Sequence, residues 1–261
     1  NIKLIESGIE HGSVTLINGT HKVEITTLRK DIKTDGRYAE IEFSNDWQED
    51  SNRRDFTINA IYLSKKGKLF DPQLGIKDLE NNVVKFIGDP VLRIEEDYLR
   101  IIRFLRFSLQ YDSQIESSSL NAITLNINGI KNLSKERILS ELIKIINLSN
   151  FKNIIENKPL KNIFQLIFPE FKYFERLSQI KVLEKYFELN TETILGILVI
   201  DNKNNDEYFC HKYNVSNDLK KKLFNFTTGV NNIQQDKNFL KNDIKKNMYY
   251  YGRDLLKKIY L

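Results

Sequence analysis

One cysteine, Cys210, stands in 261 residues. That scarcity excludes a disulfide framework and a thiolate-based metal site, and it fits a reducing, cytoplasmic setting. Long apolar runs are missing as well. None approaches the roughly 18 residues of a membrane-spanning helix, and no secretory signal pattern opens the chain. His11 and His21 are too isolated to argue as metal ligands, and His11, next to Gly12, reads as turn or loop. No fixed-period repeat marks a solenoid or an array.

What remains is enough chain for one large or two modest domains with real cores. The formal net charge of +5 permits a polyanionic partner, although many of the lysines read equally well as solvated. The most informative stretch is Arg93 to Phe107, R-I-E-E-D-Y-L-R-I-I-R-F-L-R-F. At helical period Tyr98, Ile101, Ile102, Leu105 and Leu109 form one apolar stripe. Glu96, Asp97, Arg100, Arg103 and Arg106 keep to the other side, and the last four step by three, within side-chain reach of one another. Two readings are open: a solvated face laced with ion pairs, or a fan of charge that follows a ligand several ångströms long. A second polar cluster, Arg53-Arg54-Asp55-Phe56-Thr57-Ile58-Asn59-Ala60, lies upstream.

Taken in order, residues 1–30 read as strands. Val14 and Leu16 alternate with polar residues, Val23 and Ile25 do the same, and Asn18-Gly19 supplies a hairpin turn. Asp31 to Gly36 reads as a polar loop and Ala39 to Phe43 as a further strand. Phe56 to Leu63 is apolar enough for a buried helical turn or strand, Lys66-Gly67 marks a hairpin, and Asp71-Pro72 with Gly75 turns the chain. After Gly88 the pattern becomes helical: 93–110, 134–148, and segments within 152–167, 177–189 and 191–200, with a break at Phe168-Pro169-Glu170. Residues 201–206 read as a polar loop, and the rest is basic with interspersed aromatic residues.

R-R-D-F-T-I-N-A (53–60), F-D-P-Q-L-G-I-K-D-L (70–79) and I-G-D-P-V-L-R-I-E-E-D-Y-L-R-I-I-R-F-L-R-F (87–107) together resemble the class II nucleotidyltransferases. These are the CCA-adding tRNA nucleotidyltransferases and the bacterial poly(A) polymerases. The likeness extends upstream through G-I-E-H-G-S-V-T-L (8–16), V-E-I-T-T-L-R (23–29) and D-G-R-Y-A-E-I-E-F (35–43), and downstream to S-K-E-R-I-L-S-E-L (134–142). Three motifs in the right order and spacing are far more specific than one short pattern. The likeness is firm for the first half of the chain and thin after Asn150.

The resemblance implies an α+β fold: a partial nucleotidyltransferase (polymerase β-like) head sheet over 1–63, a neck with the nucleotide-reading helix over 64–150, and an all-helical body, RNA-binding, over 151–261. It implies template-independent transfer of nucleotides from CTP and ATP to the 3′ end of tRNA. A poly(A) polymerase, or a non-catalytic RNA- or nucleotide-binding remnant, is the alternative. By the same resemblance Asp97 and Arg100, with Glu96 beside them, read the base edge. A carboxylate accepts from the exocyclic amino group and an arginine donates to the ring nitrogen that cytosine and adenine share. Arg103 and Arg106 resemble further contacts to phosphate, and Arg53, Arg54 and Asp55 resemble the motif that holds sugar and triphosphate.

The family's reaction needs divalent ions, Mg²⁺, held by a D-x-D pair after a G-G-x-V-R-D turn. Neither pattern occurs in these 261 residues. The resemblance places them before Gly8, so the expectation is a chain that starts inside the catalytic domain, with a separate polypeptide or a preceding segment carrying the pair. Glu24, in V-E-I-T-T, is the candidate for the third carboxylate of the superfamily, against the plain alternative of an exposed strand residue.

Overall fold

The structure is a computed structural model that describes every residue except 1, 10–11, 36–37, 179–188, 202, 237, 240 and 261. His11 and most of the helical segment expected within 177–189 therefore lie outside the described residues. The chain divides into two bodies, one of residues 1–100 with 114–126 and one of residues 101–113 with 127–261.

In the first body, alternation of apolar and polar residues builds an antiparallel meander of β1 (Lys3–Gly8), β2 (Ser13–Asn18) and β3 (His21–Thr26). Asn18 pairs with His21, so Gly19 and Thr20 form the turn, one residue later than expected. Gly19 has φ +58, which glycine adopts without a Cβ penalty. The registers Leu4↔Leu16↔Val23 and Val14↔Ile25 put five apolar residues on one face. β4 (Arg29–Asp35) pairs with β5 (Tyr38–Phe43) in a separate two-stranded ladder. This corrects the expected loop over 31–36. The segment R-K-D-I-K-T-D has one apolar residue and no period to read, yet its backbone pairs with β5.

The core of this body lies under R-R-D-F-T-I-N-A. Fully buried Phe56 meets Phe86 at a ring separation of 4.9 Å, and the Thr57 N–H donates to the Lys85 carbonyl at 3.0 Å. A short 3-10 turn over Thr57–Asn59 leads to β6 (Tyr62–Leu63), which pairs with β7 (Leu69–Phe70) around the Lys66-Gly67 hairpin. Trp47, on α1 (Trp47–Asn52), stacks on Tyr62 at 5.5 Å. The Asp71 carboxylate accepts from the N–H groups of Gly75 and Ile76 at the start of α2 (Gly75–Glu80). A Cβ on Gly75 would sit 2.2 Å from the Thr57 carbonyl oxygen, so this close approach requires glycine.

Asp89 caps α3 (Pro90–Glu96) through the Val91 and Leu92 N–H groups, with Pro90 in the first turn where a missing donor costs nothing. The expected single helix over 93–110 is broken at Asp97. That residue is extended (φ −157, ψ 105), and its carboxylate accepts from Leu99 N–H at 3.1 Å, so it caps the next helix, α4 (Leu99–Gln110). An aspartate that can bond the backbone two residues on competes with helix continuation. α5 (Ser117–Asn126) packs against α3.

The second body begins within α4 and continues with α6 (Lys135–Ile146), α7 (Lys158–Ile167), α8 (Thr191–Val199), α9 (Asn205–Lys212), α10 (Asn217–Gln235), α11 (Ile244–Tyr251) and α12 (Arg253–Tyr260). Its core is aromatic: Phe164 lies 4.8–5.8 Å from the rings of Phe151, Phe168, Phe171 and Phe174. The polar loop expected over 201–206 ends early, because α9 starts at Asn205, whose side-chain amide donates to the carbonyls of Glu170 and Val199. The order along the chain is the expected one: small antiparallel sheets first, then a largely helical remainder.

Candidate functional site

Asp50, on α1, is fully buried and organises the first cluster. Its Oδ1 accepts from Arg53 Nε at 2.9 Å and Nη2 at 2.6 Å, and its Oδ2 from Arg54 Nε at 3.1 Å and Nη2 at 2.9 Å. Tyr62 Oη donates to Oδ2 at 2.8 Å and the Arg29 N–H to Oδ1 at 3.2 Å. Burial pushes this carboxyl up, but the Tyr62 hydroxyl and the two guanidiniums outweigh it and hold the group below the ordinary carboxylate range. The Tyr62 phenol is pushed up to about 12, by burial first and by Asp50 second. Asp55, the next acid, is turned inward. Its Oδ1 accepts from Phe56 N–H at 3.0 Å and from Asn59 Nδ2 at 2.9 Å, fixing the turn that follows.

Arg93 joins this cluster to the second motif. Its Nη2 donates to the backbone carbonyl of Arg54 and, at 3.3 Å, to that of Asn52. Its Nη1 donates to Glu96 Oε2 at 2.7 Å. Arg100 Nη1 donates to the same Glu96 oxygen and to the Arg93 carbonyl at 2.6 Å. Burial, and the Arg100 charge beside it, lower the affinity of the Arg93 guanidinium for its proton. Two segments far apart in sequence, 52–55 and 93–100, are thus tied by one arginine. Asp97 and Arg100, both half-buried, flank the break between α3 and α4.

Arg103 and Arg106 belong to the second body and gather round Glu141 of α6. Arg106 Nε lies 2.8 Å from Glu141 Oε2, Lys144 Nζ 2.7 Å from Oε1, and Arg103 Nη1 4.0 Å from Oε1. Both guanidiniums lie over the Phe107 ring, Arg106 at 4.0 Å and Arg103 at 5.5 Å from its centroid. Burial raises the Glu141 carboxyl, and Lys144 and Arg106 more than reverse that, so it sits low.

The structure therefore brings Arg53, Arg54, Asp55, Glu96, Asp97 and Arg100 into the first body, and places Arg103 and Arg106 in a separate ion cluster. Glu24 stands exposed on β3, opposite Thr15 and away from the apolar face of the sheet. Among the described residues no three carboxylate, imidazole or thiol groups converge so as to hold a metal ion. The residues that the motif reading missed are Asp50, Tyr62, Arg93 and Glu141. Arg93 and Glu141 stood inside quoted motifs and Asp50 three residues ahead of R-R-D, but only burial distinguishes a structural hub from a surface charge.

Residues 1–85 match the family described as poly A polymerase head domain, and residues 114–175 match the probable RNA and SrmB-binding site of polymerase A. The mitochondrial CCA tRNA nucleotidyltransferase 1 of Danio rerio is 43% identical over 152 residues, 57% of this chain and 35% of that protein. The CCA-adding enzyme of Staphylococcus haemolyticus is 34% identical over 251 residues, 88% of this chain and 62% of that protein. The chain carries two segments that match poly(A) polymerase domains and is similar over most of its length to CCA-adding nucleotidyltransferases. It spans between about a third and three fifths of the length of these relatives. The family fold extends over the chain: the Bacillus stearothermophilus CCA-adding enzyme in complex with CTP superposes with a TM-score of 0.74 at 19% identity, over 98% of this chain and 62% of that one. The two polar clusters are what R-R-D and E-D-x-x-R build once folded.

Proposed function

We propose that this chain supplies the nucleotide-selecting part of a CCA-adding tRNA nucleotidyltransferase, which transfers CMP and AMP units from CTP and ATP to the 3′ end of tRNA. The observation that carries the reading is the Arg93 bridge, which fixes Arg54 and its turn next to Glu96 and Arg100. Asp97 then accepts from the exocyclic amino group of cytosine or adenine, and Arg100 donates to the neighbouring ring nitrogen. Uracil and guanine present a carbonyl in the amino position and leave the carboxylate unpaired. Arg53, Arg54 and Asp55 serve sugar and triphosphate, and Arg103 and Arg106 serve phosphate. The division of labour follows residues 1–63 as head, 64–150 as neck and 151–261 as RNA-holding body.

In the reaction the tRNA 3′-hydroxyl oxygen bonds to the α-phosphorus, the bond to the β-phosphate oxygen breaks, and pyrophosphate leaves. Mg²⁺ belongs to this chemistry in the family, but the described residues do not form its site, and D-x-D does not occur in the sequence. We assign the metal-binding pair to a segment supplied in addition to these residues, on the same or a separate polypeptide, with Glu24 as the third carboxylate. No described helix is long and apolar enough to cross a membrane, and the lone cysteine fits the cytoplasm.

The reading predicts that the 261-residue chain, given Mg²⁺, ATP and tRNA lacking its terminal adenosine, leaves the RNA length unchanged, and that adding a segment with G-G-x-V-R-D and D-x-D restores extension. Extension by the chain alone would show that the metal ligands are among its own residues. The poly(A) polymerase alternative has the head-domain match in its favour. Incorporation of CMP as well as AMP in the reconstituted reaction separates the two.

A further inference from the structure

The Arg93 guanidinium is a fork whose two prongs serve different segments. Nη2 donates to the backbone carbonyls of Arg54 and Asn52, while Nη1 donates to Glu96 Oε2 at 2.7 Å. Arg100 Nη1 donates to that same Glu96 oxygen and to the backbone carbonyl of Arg93 at 2.6 Å. Arg100 is therefore gripped by two groups, one belonging to Arg93 and the other held by it. The side chains of Arg93 and Arg100 are each only 12% exposed. The grip on the other motif is separate. The Asp50 carboxylate takes two N–H groups from each of Arg53 and Arg54, and the Arg54 backbone N–H donates to the Ser51 carbonyl at 3.1 Å. These bonds do not involve Arg93.

We infer that Arg93 is the positioning residue for Arg100: through Glu96 it fixes the guanidinium that reads the base, and so sets the discrimination among bases without itself touching the nucleotide. The inference rests on the proposed role of Arg100. A lysine at position 93 keeps the charge but concentrates it at one point, so it cannot bridge the carbonyls of Asn52 and Arg54 to the Glu96 carboxylate. Glu96→Gln weakens the same link from its other side, because an amide oxygen accepts without the charge that strengthens the bond. Neither change touches the bonds from Asp50 to Arg53 and Arg54.

Two measurements on the intact chain test this. In the first, phenylglyoxal, which reacts with arginine, is applied and its attachment is followed residue by residue by mass spectrometry. In Arg93→Lys and in Glu96→Gln, Arg100 should react several times faster than in the wild type, while Arg53 and Arg54 keep their wild-type rates. In the second, ATP, CTP, UTP, GTP and inorganic tripolyphosphate are titrated without metal. Both variants should lose about tenfold of the preference for ATP and CTP over UTP and GTP, the scale of one hydrogen bond to a charged group, with tripolyphosphate affinity unchanged. The double variant should lose no more than either single one, because the two residues act in one chain of contacts. Misfolding would speed the labelling of all three arginines together; should Arg93→Lys misfold, Glu96→Gln decides, its side chain being 32% exposed. Unchanged Arg100 labelling in a folded variant, additive losses in the double variant, or equal weakening of tripolyphosphate and nucleotides would overturn the inference. A wild type with no preference among bases would instead sink the reading of Arg100, and the labelling rates would still decide whether Arg93 holds that side chain.

Discussion

Asp50 shows how much a single buried carboxylate decides. Two guanidiniums, a phenol and a backbone N–H converge on its two oxygens, so removing it strands charges that were arranged around it. Asp50→Ala should cost about 3–5 kcal/mol, the scale for breaking a buried ion pair on one side. Its folded-state pKa lies below the ordinary 3.8, so its contribution is fully present above that value and is lost as pH falls through the folded pKa. Urea denaturation from about pH 6 down to about pH 2.5 should show the wild type losing stability at the acid end, and the variant losing less. Parallel curves would mean that Asp50 is not held in its charged form. On the proposed reading, Arg100 is the residue that reads the base. Arg100→Ala should flatten the preference of the chain for ATP and CTP over UTP and GTP, with a loss of about 1–3 kcal/mol for the favoured bases. Nucleotide titrations without metal test this, with circular dichroism checking that the variant is folded. Survival of the discrimination in Arg100→Ala, with its disappearance in Arg103→Ala, would reverse the roles of these two arginines.

Elements were legible where a period or a turn residue carries the information. The β2–β3 hairpin, the Lys66-Gly67 turn, α6 and α8 all follow from alternation, glycine placement or 3.6-residue spacing. β4 was not, because a polar two-stranded ladder has no face to reveal. The break at Asp97 was not, because Asp97 opens the three-residue step of charges that continues through Arg106, and only the cap to Leu99 N–H betrays it. The candidate site was legible as residue types, since R-R-D and E-D-x-x-R name most of its members. Its wiring was not, because burial of Asp50 and Glu141 and the reach of Arg93 are tertiary facts. The front sheet carries a further expectation. Leu4, Val23 and Ile25, on its apolar face, are 50–54% exposed, and among the described residues β3 pairs on one side only. Such an element opens readily. Hydrogen exchange over Val14 to Leu28 should be much faster than over α4, whose inward residues are buried. Equal protection would contradict this. Gly75→Ala should also destabilise the first body, by about 1–3 kcal/mol, since its Cβ meets backbone rather than a yielding side chain.

At the scale of the molecule, charge is the quantity that separates the two ends of the chain. Residues 201–261 carry 12 Lys and Arg against 7 Asp and Glu, which is the whole of the formal +5. If these lysines hold the phosphates of tRNA, each contact releases counterions, and affinity must fall with salt in proportion to the number of contacts. Lys245, Lys246 and Lys257 are exposed, so replacing all three by Ala leaves the aromatic core untouched. The slope of log affinity for tRNA against log salt should then become shallower by about 0.7–0.9 for each lysine that neutralises a phosphate. If Arg100 reads the base edge as proposed, Arg100→Ala should leave that slope alone while changing nucleotide preference, because phosphate contacts position and base contacts specify. The measurement is a set of tRNA titrations at several potassium chloride concentrations on the wild type and both variants. An unchanged slope in the triple lysine variant would mean that these charges are solvated surface, and that the RNA is held elsewhere on the chain.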